Sequence, residues 1–193
     1  LAQEAIALAR SAADAGVEAV AQRSWGVVLW QQGDNLPARE RLQQALQLAR
    51  EIGQRNLQAD CLCALGCTDW SLGDYAAAQR SYEESLQLSQ EVGDRGREII
   101  SLQNLGLVLA TRGDWSSARD YYEHSLAIAR EIGYRRGENY ALEALGTVLM
   151  EQGDYAAARE VYAQTLAISR EIGDRREEAR SYTYLGEICR ALG

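Results

Sequence analysis

The stretch DCLCALGCTDW, residues 60–70, gathers three of the chain's four cysteines beside two aspartates and a tryptophan. Thiolates and carboxylates this dense could hold a zinc ion or run dithiol redox chemistry. Wound as a helix, the stretch puts Asp60, Cys63, Cys67 and Trp70 on one stripe at i, i+3, i+7 and i+10, and Cys61 on another face. A structural zinc site takes four ligands, and this stripe offers three. The single histidine, His124, falls in a different helical segment. A Cys63–Cys67 disulfide is disfavoured by the side-chain directions of a helix. No metal and no cofactor are therefore expected, and the cysteines read as small, weakly polar hydrophobes.

What positions these residues is an internal repeat. Gly-Asp recurs at Gly33, Gly73, Gly113 and Gly153, forty residues apart each time. The same interval spaces Gly26, Gly66, Gly106, Gly146 and Gly186, and the E-[IV]-G triplets ending at Gly53, Gly93, Gly133 and Gly173. Apolar residues at helical spacing on either side of Gly113 make each period two helices. Gly113 suits the left-handed position that ends the first helix, Asp114 can cap the second, and Gly133 ends it. Asp174 with Glu177 resembles a capping box, and Pro37 fits a first helical turn. Small residues recur where two helices must approach closely: the Gly26 series, and Ala38, Ala78, Ala118 and Ala158. Tyr82, Tyr122 and Tyr162 follow those alanines by four, with Leu42 in the first unit, where looser packing is expected. Cys61 shares its position with Ser101, Ala141 and Ser181, a core slot. Asp69 stands where Leu29, Leu109 and Leu149 stand elsewhere, a costly place for a carboxylate unless an arginine or water meets it.

The L-G and G-D-[YW]-x-x-A-x-x-x-Y order resembles the tetratricopeptide repeat family over essentially all 193 residues. The resemblance implies an all-α, right-handed superhelical solenoid of antiparallel helix pairs. The forty-residue unit, longer than the family's usual thirty-four, is similar to the arrays of kinesin light chains, Pins-type regulators and bacterial signalling ATPases or transcription regulators. A single array segment is expected, with full repeats at 14–53, 54–93, 94–133 and 134–173. Residues 1–13 align with the second helix of an upstream repeat and 174–193 with a further first helix, so a longer parent array is expected.

In this family one stripe of each first helix lines the concave, peptide-binding surface. On this sequence that stripe carries Arg23, Val27 and Trp30, then Asp60, Cys63, Cys67 and Trp70. Further along come Gln103, Asn104 and Leu107, then Tyr140, Glu143, Thr147 and Glu151, and finally Arg180, Tyr184 and Glu187. Aromatic and apolar residues lead, and carboxylates follow toward the C-terminal end. The carboxylate clamp of the chaperone-binding members is not carried over, because its positions fall on Arg23, Val27, Ala64, Ile100 and Asn104.

The basic residues are all arginine, twenty of them against 28 acids, for a net charge of −8. Such a balance argues against a nucleic-acid backbone as partner. The longest uncharged run, Ile99 to Thr111, is too short to span a bilayer, so no membrane insertion is expected. Four cysteines without a framework point to a reducing, cytoplasmic setting. Acid pairs such as Glu83–Glu84 and Glu177–Glu178 read as solvated faces. The expectation is a non-catalytic scaffold that binds a protein or peptide segment of basic and apolar character. The alternatives are a regulatory sensor domain that contacts domains of its own full-length chain, and a module that self-associates through its cut ends.

Overall fold

In the computed structural model, Glu4 and residues 14–193 are described, and the expected helix over residues 1–13 otherwise lies outside the described residues. Nine α-helices and no strand form among the described residues: α1 (Ala15–Gln32), α2 (Asn35–Glu51), α3 (Arg55–Ser71), α4 (Tyr75–Val92), α5 (Arg95–Thr111), α6 (Trp115–Glu131), α7 (Arg135–Glu151), α8 (Tyr155–Glu171) and α9 (Arg175–Leu192). Each is 17 or 18 residues long, about 25 Å at 1.5 Å per residue.

The recurrent glycines and aspartates set these boundaries. Gly113 adopts φ +81° and Gly133 φ +68°, left-handed values that a side chain would strain. Asp74, Asp114 and Asp154 each accept a hydrogen bond from the backbone N–H three residues on, closing the start of α4, α6 and α8. Asp34, in the divergent first repeat, makes no such side-chain cap. Asp174 accepts from the Glu177 N–H at 3.2 Å, which forms that half of the expected capping box. Across the glycine turns, Arg130 donates to Glu138 at 2.9 Å and Arg170 to Glu178 at 2.8 Å, tying each second helix to the next first helix.

The helices fall into two compact units, Leu1–Ser101 and Leu102–Gly193, with α5 shared between them. In the first unit α1 packs on α2, α2 on α3 and α3 on α4, around Leu42, Leu46, Leu62, Leu65 and Leu88. Cys61 is fully buried among them, the core slot expected of it. The first repeat is not loose: Leu42 is fully buried, and a Cβ on Gly26 would stand 2.7 Å from its Cγ, so leucine closes the gap that tyrosine closes elsewhere. In the second unit α6, α7, α8 and α9 pack in succession around Tyr122, Leu142, Leu145, Val148 and Ile168, and then Tyr162 with Ile188. No described helix is long and apolar enough to cross a membrane.

Candidate functional site

In the first unit, the expected first-helix stripe is largely engaged with the protein itself. Asp60 receives Arg97 Nε at 2.7 Å and Nη2 at 3.2 Å, and Arg23 lies 3.9 Å away. Its charge is therefore met from within. The Trp30 indole N–H donates to Ser71 Oγ at 2.9 Å, and Ser71 in turn donates to the Cys67 carbonyl. Val27 packs half-buried against the core. Trp70 stays exposed, its ring 6.4 Å from that of Tyr75.

Cys63 and Cys67 are half-buried thiols, in no disulfide, and hydrogen-bonded to one another. That bond, together with one donated by the Tyr82 hydroxyl at 3.4 Å, draws the Cys67 thiol down to about 7 against the effect of burial. The same pairing pushes Cys63 up, and burial takes Cys61 up to about 12. Among the described residues no three metal-ligating side chains gather. Asp69 is 5% exposed, with Arg39 at 3.8 Å, and burial raises its carboxyl above the ordinary range.

The second unit brings its stripe together around an open pocket of about 280 Å³. Leu107, Ala110 and Thr111 come from α5, Trp115 and Tyr122 from α6, Tyr140, Glu143, Ala144 and Thr147 from α7, and Arg180 and Tyr184 from α9. Tyr140 stands at the surface, 41% exposed. Tyr184 stacks on Tyr162 with ring centres 4.6 Å apart, and the Tyr162 hydroxyl meets Thr147 Oγ1 at 3.0 Å. These contacts fix the aromatic wall.

Glu143 carries the electrostatics. It is 7% exposed, and burial followed by the neighbouring Glu177 pushes its carboxyl up to about 7, against the pull of Arg180. Arg180 pairs with Glu143 through Nη2 and with Glu177 through Nη1, the latter at 3.0 and 3.2 Å to the two carboxylate oxygens. A smaller hollow of about 200 Å³ shares Tyr140 and Glu143 and adds Arg136, Asn139, Asp174 and Glu177. Glu177 is thus half-buried beside Glu143 and does not lie on the solvated face read from the sequence.

Other stripe residues sit apart. Gln103 is buried and donates to the Gly137 carbonyl at 2.9 Å, tying α5 to α7. Asn104 is half-buried outside the pocket lining, while Glu151 and Glu187 are exposed and also lie outside it. His124 is exposed on α6. The sequence reading missed Trp115 as a pocket wall. Its signal was the aromatic that follows Gly-Asp in three repeats, as Tyr75, Trp115 and Tyr155.

A family model described as Tetratricopeptide repeat matches residues 17–91, 69–131 and 138–193, and the chain belongs to that family. The fold is accordingly that of a protein–protein interaction module, a class that is generally non-catalytic. Among curated proteins none matches. BtubC (BKLC) from P. vanneervenii is similar in structure, with 19% identity, a TM-score of 0.87, and coverage of 100% of this chain and 82% of that one. A Rap protein complexed with competence and sporulation factor matches at 15% identity and TM-score 0.81, over 91% of this chain and 52% of that one. The signal transduction ATPase with a tetratricopeptide repeat sensor from Pyrococcus horikoshii matches at 15% identity and TM-score 0.81, over 89% of this chain and 27% of that one. This chain therefore spans about half of the Rap protein and about a quarter of the ATPase.

Proposed function

We propose that the chain is a non-catalytic scaffold whose first-helix face binds an extended or helical protein segment, seated in the second unit at the pocket under Tyr140. The observation that carries this reading is the pocket itself. Exposed Tyr140 and half-buried Trp115 and Tyr184 surround a buried carboxylate, and an amphipathic anchor of this kind gives affinity and orientation together. The fixed Tyr184–Tyr162 stack and the Thr147–Tyr162 hydrogen bond mean that the wall is formed before binding, which lowers the ordering cost on the scaffold side. The similar Rap protein, solved in complex with competence and sporulation factor, supports recognition by an array of this fold. Cys61, Cys63, Cys67 and Cys189, none in a disulfide, fit a cytoplasmic setting.

The test is a random peptide display library panned on the folded protein. Enriched peptides are expected to lose about tenfold or more in affinity for Tyr140→Ala, the effect of losing one aromatic anchor, and to bind His124→Ala unchanged. Peptides that bind Tyr140→Ala as well as wild type would place recognition elsewhere.

A further inference from the structure

Two carboxylates, Glu143 and Glu177, converge on one guanidinium, that of Arg180. Arg180 comes from α9, the helix that closes the pocket, and its side chain stays half-exposed while its head reaches the buried acid. The arrangement is a guanidinium subsite with a resident: Nη1 spans both oxygens of Glu177, Nη2 meets Glu143, and aromatic faces line the approach. A planar fork matches paired carboxylates and stacks on aromatic rings, whereas a lysine ammonium offers a single point of charge.

We propose that this pocket reads an arginine of the partner segment, whose guanidinium displaces Arg180 from Glu143 while its aliphatic stem runs along Tyr140. The proposal rests on the peptide-binding reading above and adds the side chain that the pocket selects. Charge complementarity favours this occupant. The cluster holds two acids for one base, in a chain of net charge −8, and the displaced Arg180 keeps Glu177 as a partner on its own helix. The groups around Glu143 are Glu177, Arg180 and Tyr184 from α9, Asp174 just before it, Tyr162 from α8, and Arg136 and Tyr140 on its own helix. Arg180 is the base whose head reaches the carboxylate, and with Arg136 and Asp174 counted the surroundings still hold more acid than base. Because Glu143 holds its proton up to about pH 7, an incoming cation must release that proton, so binding strengthens as pH rises toward 7 and then levels off. An ordinary surface carboxylate would level off near pH 4 to 5.

The test uses ethylguanidinium, the head and first carbons of arginine, against ethylammonium, read by thermal unfolding and by the NMR shift of the Glu143 carboxyl carbon. Arg180→Met keeps an apolar stem at that position and vacates the head position. At pH 8, ethylguanidinium is expected to raise its melting temperature in a saturable way and to move the Glu143 signal, with ethylammonium at least several-fold weaker and no effect in Arg180→Met/Glu143→Gln. In wild type the same carboxyl shift is expected at higher concentration, as Arg180 competes. In wild type the response is expected to fade by about tenfold per pH unit below 7, and in Arg180→Met the fading begins at higher pH, because the charge that lowers the Glu143 carboxyl is gone. Equal responses to the two cations, or a response that survives Glu143→Gln, would overturn the arginine assignment. No carboxyl shift in either protein would overturn it as well. Failure here alongside Tyr140-dependent display peptides removes only the arginine assignment; loss of those peptides removes the broader reading.

Discussion

Tyr122 fills the place where Gly106 has no side chain: a Cβ on that glycine would stand 2.6 Å from Tyr122 Cε1. The contact lets α5 and α6 approach closely, and Gly146 with Tyr162 repeats it at 2.7 Å. Gly186, at the same repeat position on α9, meets nothing within 4 Å.

Gly106→Ala is expected to destabilise the protein by about 1–3 kcal/mol through overpacking against the buried Tyr122 ring. Gly186→Ala is expected to stabilise it by about 0.5–1 kcal/mol, since only the helix propensity changes there. Urea denaturation of the two variants checks the pair, and equal effects would contradict the packing account.

Gln22 is 0% exposed, and among the described residues neither polar atom of its amide has a hydrogen-bond partner. It occupies the slot that holds Leu62, Leu102 and Leu142 in the following repeats. Gln22→Leu is expected to raise stability by about 1–3 kcal/mol, the cost of an unsatisfied buried amide. A lowered melting temperature would show that the amide is satisfied in solution.

Glu143 supplies a pH-dependent term in stability. Its folded pKa of about 7 lies above the ordinary value of 4.5, so the folded state holds the proton more tightly than the unfolded chain. The sign follows: stability falls as pH rises from about 4.5 to 7, and the full penalty is present above 7. Glu143→Gln is expected to gain on wild type by a further ~1–3 kcal/mol between pH 5 and pH 8. A difference independent of pH would mean that the carboxyl titrates normally.

The sequence made the scaffold legible because every scaffold feature recurs. Gly113 and Gly133 end their helices, Asp114 caps, and the tyrosines meet the glycines, as the forty-residue register implies. The candidate site was legible only in part. Tyr140, Glu143, Thr147, Arg180 and Tyr184 do meet, because a stripe on successive first helices brings them near one another. Gln103 turns to the Gly137 carbonyl, and Asp60 is taken by Arg97, through partners 34 and 37 residues away. Long polar side chains choose such partners by rotamer and local charge, which differ from repeat to repeat, so no period announces them. Glu177 shows the same: its helix position is periodic, but its influence on Glu143 depends on the burial that α7 gives that carboxylate.

The proposed partner seats on the first-helix face of the second unit. The most direct measurement places a photo-cross-linking phenylalanine analogue at Thr111, on the pocket, or at His124, exposed on α6, in lysate of the source organism. Cross-linked species are expected from position 111, absent from position 124 and competed away by a display-selected peptide. The same species from both positions, or species from position 124 alone, would contradict that seating.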